Sequence, residues 1–134
     1  MISECQLRKM GYTINLDHEY KLIRYKHTGN IKAEEIDKAW QEFLSMKEFT
    51  EGEYNLMSDY RNSQFDIHRS EVHMIISFMK NIEHIIRGKK QSLIVDNPYS
   101  TAASEIFSSL VVEETGFNVQ VFSTPEAALE WLCT

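Results

Sequence analysis

The chain is poor in the residues that usually announce a chemistry. Of its 134 residues only two are cysteines, Cys5 and Cys133, at opposite ends of the sequence and without a second cysteine at metal or redox spacing. Two free thiols in a reducing cytosol are therefore expected, and a disulfide between them only if the ends meet. No basic run exceeds the pair Lys89-Lys90, and the formal net charge is −6. Such a chain repels phosphate backbones and anionic membranes, so no nucleic acid is expected among its partners. Apolar runs extend over only a few residues, far short of a transmembrane segment. Met1-Ile2-Ser3-Glu4-Cys5 lacks a basic stretch followed by an apolar one, so no secretory leader is expected. Together these absences point to a cytoplasmic protein.

No pair of histidines stands three or four residues apart, the spacing at which one helix grips one ion. His73 and His84 share a helical pattern but lie about 16 Å apart along its axis, and no metal and no cofactor are expected. His18 and His27 read as solvated or hydrogen-bonded structural residues. Pro98-Tyr99-Ser100-Thr101-Ala102-Ala103-Ser104 opens a helix whose free N–H groups could hold an anion. It has none of the glycines of a phosphate loop, and small residues there equally let a helix lie close on a sheet.

What is present is a regular order of patterns. A domain of this size buries roughly 68% of its unfolded surface, enough for one core without staples, so residues 1–134 are expected to form a single domain with its core over about 10–132. Met10–Leu16 and Tyr20–His27 alternate polar and apolar residues around a turn at Asp17-His18-Glu19, a β-hairpin closed by Gly29-Asn30. A helix follows over Lys32–Met46, with Ile36, Ala39, Trp40, Phe43 and Leu44 as its buried stripe and Phe49 pinning the next loop. Tyr54–Tyr60 is a strand, Arg61–Arg69 a loop, and Ser70 a good N-cap for a long helix over Glu71–Arg87 that Gly88 ends. Strand Ser92–Asp96, a helix from Pro98 to Thr115, strand Phe117–Phe122 and a last helix, capped by Thr124 with Pro125 at its first position or by Ser123 with Glu126 as a capping box, complete the chain. Strands alternating with helices imply parallel pairing. Thr13, Asn15, Arg24, Lys26, Asn118 and Gln120 give three strands a polar side, which favours a sheet wound in one direction with helices mainly on one face.

In open α/β sheets ligands gather beyond the carboxyl ends of the strands. There the chain places Asp59-Tyr60-Arg61-Asn62 and Asp96-Asn97. Asp59, Arg61, Asp96 and Asn97 could hold a polar ligand, and the first three could polarise a substrate. Residues of this kind more often cap helices and shape turns, and Asp59 with Arg61 reads as an ion pair. A receiver-type phosphoacceptor site fails, because no acidic pair follows the first strand and no lysine the fifth. The long helix is the stronger interaction candidate. Val72, Ile75, Ile76, Met79, Ile82 and Ile86 make one stripe, and Met74, Phe78 and Ile85 widen it enough to meet either a neighbouring helix or a second subunit.

This order of elements, the strand tip Ser58-Asp59-Tyr60-Arg61, and the closing Val121-Phe122 with Glu126-Ala127-Ala128-Leu129-Glu130-Trp131-Leu132 resemble bacterial SpoIIAA-like proteins of the STAS superfamily (sulfate transporters and anti-sigma factor antagonists). The resemblance covers about residues 10–132. It implies an α/β fold with a mixed five-stranded sheet and a non-enzymatic switching or docking role; some relatives are linked to lipid or small-ligand binding. Regulatory members carry an aspartate-serine phosphorylation motif where the third strand meets the second helix. Here that junction is stretched over Asp59–Ser70, where Ser63 and Ser70 are the candidate phosphoacceptors without the motif around them. The leading expectation is a stand-alone regulatory or protein-interaction domain, a homodimer using the long helix, its surroundings or the open sheet face. The alternative is a small-molecule or lipid-binding domain with a pocket between helices and sheet. An enzyme built on Asp59, Arg61 and Asp96 comes third.

Overall fold

The computed structural model describes residues 11–134. Cys5 and the expected strand start at Met10 lie outside the described residues. Strands β1 (Tyr12–Asp17) and β2 (Leu22–His27) form the hairpin, and their turn is closed by Lys21 at φ 54. β3 (Gly29–Lys32), α1 (Ala33–Leu44) and the single turn α2 (Lys47–Thr50) follow. Then come β4 (Asn55–Asp59), β5 (Ser63–Asp66), α3 (Arg69–Asn81) and the short α4 (Glu83–Ile86). β6 (Lys90–Ile94), α5 (Pro98–Thr115), β7 (Asn118–Phe122) and α6 (Pro125–Leu132) end the chain.

The main sheet has the order β1-β2-β4-β6-β7, antiparallel between β1 and β2 and parallel elsewhere. Each new strand is added on the same side of the last, so the sheet is wound one way. Crossovers of one hand moving in one direction put their helices on one face, and α1, α3 and α5 share a core with the sheet there. Helix α6 follows the final strand and belongs to no crossover. It covers the other face, where Ala128 and Leu132 pack on Leu22, Met57 and Ile94. The period of two along each strand separates the two cores cleanly. Ile23, Leu56 and Leu93 enter the large core while their neighbours Leu22, Met57 and Ile94 enter the small one.

Four local readings are corrected by the structure. Gly29-Asn30 does not simply end the hairpin, and Arg61–Arg69 is not all loop. β3 and β5 pair in parallel as a second, two-stranded sheet, with Ile31 opposite Phe65. These strands are only four residues long and form because each supplies the other's backbone partners and Ile31 is fully buried. The long helix starts at Arg69 with His68 as its N-cap residue, and Ser70 lies inside its first turn. Glu71 decides this, because its Oε1 accepts the His68 N–H at 2.9 Å and closes half of a capping box two residues earlier than expected. The helix also breaks at Ile82 (φ −112, ψ 17). The short turn beyond it lets Ile86 reach the core at 0% exposure.

The expected caps of the later helices are found. Thr124 accepts the Ala127 N–H at 3.2 Å, with Pro125 at the first helical position. Gly116, at φ 76, ends α5 in the left-handed conformation that glycine adopts without strain. No described helix is long and apolar enough to cross a membrane.

The large core is aromatic. The Trp40 ring lies 5.3 Å from Phe43, 5.8 Å from Phe49, 5.9 Å from Phe117 and 6.4 Å from Phe78, each in an edge-on arrangement. Such contacts add about 0.5–1.5 kcal/mol per pair beyond the buried area. Trp40 therefore ties α1 to α3 and to the start of β7.

Candidate functional site

Between α1, α3, α5 and the sheet the core is incomplete. A cavity of about 110 Å³ is walled by Ile36 and Trp40 of α1, by Val72, Ile75 and Met79 of α3, and by Gln91 and Leu93 of β6. Tyr60, Phe65 and Ile67 close one end, and Tyr99, Ala103, Ser104 and Phe107 of α5 form the remaining wall. Small residues on α5 were one reason to expect close contact with the sheet. Ser100 and Ser104 are buried there, at 0% and 3% exposure, and Ala103 and Ser104 line the gap together with Gln91 and Leu93, while the larger Tyr99 and Phe107 stand one turn to either side. Tyr99 is 63% exposed and marks the mouth.

Two polar groups in this wall lack partners. Gln91 is 3% exposed and Ser104 also 3%, and neither Gln91 Oε1 nor Ser104 Oγ makes a hydrogen bond. A buried polar atom left unpaired costs about 1–3 kcal/mol, so two at one cavity call for a partner inside it. The amide nitrogen of Gln91 is engaged, donating to Ser58 Oγ at 2.9 Å. Tyr60, in the same wall, is buried, and burial pushes its hydroxyl well above the ordinary range. Inside the cavity, then, a neutral polar pair faces walls that are otherwise apolar and aromatic.

Next to the cavity, on the inner face of the hairpin, lies a buried polar chain. His27 is 0% exposed and sits between Tyr25 and Glu35. The neutral ring with its proton on Nε2 satisfies both: Nδ1 accepts from the Tyr25 hydroxyl, and Nε2 donates to Glu35 Oε2 at 3.0 Å. Glu35 also accepts the Lys32 N–H at the start of α1, at 3.4 Å. Tyr12 donates to Glu42 at 2.9 Å. This is the hydrogen-bonded structural reading of His27, and it ties the hairpin to α1. Burial lowers the His27 pKa below its ordinary 6.5 against the opposing pull of Glu35. As pH falls below about 6.5 the unfolded chain takes up this proton before the folded one does, so stability drops in that range. Thermal melts between pH 7 and pH 5 are expected to show this decline, and to show less of it in His27→Gln. An equal slope in both proteins would contradict this role for His27.

The strand tips hold the residues the sequence singled out, and their polar groups are largely turned on one another. Arg61 donates to Asp59 through Nε at 3.0 Å and Nη2 at 2.8 Å, and its backbone N–H adds a third bond at 3.0 Å. Lys26 Nζ lies 3.3 Å from the same carboxylate. Burial alone would raise the Asp59 carboxyl, but Arg61 and Lys26 outweigh it and bring the pKa to about 2. Arg61→Ala is expected to raise it toward 3.8, readable in a carboxyl-carbon NMR titration; an unmoved value would show that Lys26 and the backbone N–H of residue 61 suffice. Asp96 Oδ2 accepts the Asn62 N–H at 3.0 Å, at a residue with φ 61. Asn97 caps α5, accepting the Ser100 N–H at 2.8 Å, so that donor is already taken at the helix start proposed for an anion.

Of the other singled-out residues, Ser63 is 8% exposed and donates to the Tyr60 carbonyl, whereas Ser70 is exposed. Phe78 and Ile85 pack against the core, Phe78 on Trp40. The wide apolar arc of the long helix is thus largely spent on α1, α5 and the sheet. Met74 remains 70% exposed. Gln91 was not singled out by sequence, because it stands in the polar first half of Lys90–Ile94, just before the expected strand start at Ser92; Ser104 entered only as the end of the small, polar run that opens α5.

No protein-family model matches the chain, and no curated protein is significantly similar to it in sequence. Among solved structures it is similar to an uncharacterised protein of the DUF3478 family from Shewanella loihica PV-4, described as having a SpoIIAA-like fold. The TM-score is 0.56 at 13% identity, over 92% of this chain and 94% of that one. The fold is SpoIIAA-like. The mixed five-stranded sheet wound one way, expected from the order of patterns, is the architecture that this likeness supports. At this identity the likeness concerns the SpoIIAA-like fold and not the cavity or any activity.

Proposed function

We propose that this protein is a non-enzymatic binding domain that holds a small, mainly apolar molecule in the cavity between α1, α3, α5 and the sheet. The observation that carries this reading is the unfilled cavity itself, with Gln91 Oε1 and Ser104 Oγ buried in its wall and unpaired. Protein cores are close-packed, and a gap of this size forfeits contact energy that a ligand would restore. The direct test is thermal unfolding with a small aromatic such as toluene. Ligand at about 100-fold above its Kd stabilises by about 2.7 kcal/mol, a rise in Tm of roughly 10 °C for a domain of this size. No shift with any small aromatic would sink the reading. Native mass spectrometry of the freshly purified protein adds a second readout, the mass of a co-purified ligand.

A regulatory or docking role is the second reading, and one observation favours it. Met74 on α3 is 70% exposed, and Tyr99 and Ile106 on the neighbouring α5 are each 63% exposed. Exposed apolar residues on adjacent helices are what an interface needs at its centre. Size-exclusion chromatography with light scattering tests it: a dimer that Met74→Glu with Ile106→Glu dissociates supports it, and a strict monomer at high concentration removes it.

A further inference from the structure

The cavity's own chemistry narrows its occupant, on the reading that the cavity is a binding site. We propose that the occupant is a small neutral aromatic molecule carrying one hydrogen-bond donor, with phenol as the simplest member of the class. Three features of the wall lead there.

The first is charge. Among the fourteen lining residues there is no Asp, Glu, Lys, Arg or His. A carboxylate or an ammonium drawn into this space would lose its hydration and gain no counter-ion. Fatty acids and other anionic amphiphiles are therefore poor occupants.

The second is the direction of the unpaired groups. Gln91 is oriented from behind, because Ser58 Oγ receives its amide N–H at 2.9 Å. What Gln91 leaves unpaired is an acceptor, Oε1. It calls for an O–H or N–H on the ligand. Ser104 Oγ, also unpaired in the same wall, can return a hydrogen bond to that hydroxyl's oxygen.

The third is size and surface. Five of the lining residues are aromatic: Trp40, Tyr60, Phe65, Tyr99 and Phe107. Rings of this kind receive another ring edge-on or offset. At about 110 Å³ the space is somewhat smaller than the roughly 150 Å³ engineered core cavity that takes up benzene. One ring fits if part of it stands in the mouth beside Tyr99, and a long acyl chain does not.

Isothermal calorimetry at pH 7 with three probes of one size, phenol, toluene and benzoate, tests the proposal. Phenol is expected to bind about 2- to 10-fold more tightly than toluene, the margin of one net hydrogen bond, and benzoate not to bind measurably. Gln91→Leu should bring phenol down to the level of toluene while toluene binding persists, which also reports that the cavity is intact. Should Gln91→Leu fail to fold, Ser104→Ala serves in its place and should narrow the gap between phenol and toluene. Toluene equal to or tighter than phenol in the native protein, or binding of benzoate, would overturn the donor inference and leave the binding reading standing. Absence of binding by all three would overturn both.

Discussion

Trp40→Ala is expected to cost about 3–5 kcal/mol of folding stability. Domains of this size have only about 5–15 kcal/mol in total, so the variant should unfold at markedly lower urea or be partly unfolded without it. The expectation rests on position as well as size. Trp40 is 3% exposed, and its ring is met edge-on by four phenylalanines drawn from α1, α2, α3 and the approach to β7. Removing the ring would also enlarge the adjoining cavity, which Trp40 lines. Urea titration followed by circular dichroism checks this. A loss under about 1 kcal/mol would mean that the helices are held to the sheet mainly by other contacts. Trp131 offers the comparison: it sits over Phe122 at 5.6 Å on the smaller core of the opposite face, where it is only partly buried, and its removal should cost less.

Ala103→Phe should have the largest effect on binding. Ala103 lies in the cavity wall on α5, between Tyr99 and Phe107. A phenyl group built there occupies the space assigned to the ligand ring. Binding of toluene and phenol should fall beyond detection. At the same time the filled gap should hold or raise Tm, since cavity-filling changes commonly add about 0.5–2 kcal/mol, less a few tenths for the poorer helix propensity of phenylalanine. Loss of binding together with unchanged or higher stability would place the ligand in this cavity and show that binding is not lost through unfolding. Undiminished binding in this variant would place the ligand elsewhere on the molecule.

The sequence carried the architecture further than the site. The alternation in Tyr12–Leu16, the apolar central strand around Leu93-Ile94 and the caps at Thr124 and Gly116 are local signals. Each acts within a few residues, and the structure follows them. β3 and β5 escaped because Gly29-Asn30 and Asn62-Ser63 look like turn chemistry, and their pairing depends on a partner more than thirty residues away. The start of the long helix was misplaced for a related reason: Ser70 is a good cap by type, but the Glu71 carboxylate selected His68. At the strand tips the acidic and amide residues could be read as either ligand-binding or structural, and the structure shows Asp59 held by Arg61 and Asn97 by the α5 terminus. The cavity was the least legible feature. It arises where Ala103 and Ser104 happen to face Gln91 across a layer boundary, a property of shape that no spacing in the sequence encodes. Only its general place, between helices and sheet, could be anticipated.

The central claim is that this cavity takes up a small molecule, and an amide-correlation NMR titration with toluene tests it most directly. The account predicts saturable shifts of the Trp40 indole N–H, the Gln91 side-chain amide and the backbone signals of Ser104 and Phe107, with the Trp131 indole N–H and the backbone signals of α6 on the opposite face of the sheet unmoved. Signals around the cavity that stay fixed while toluene reaches its solubility limit, or shifts confined to the exposed surface at Met74 and Ile106, would contradict it.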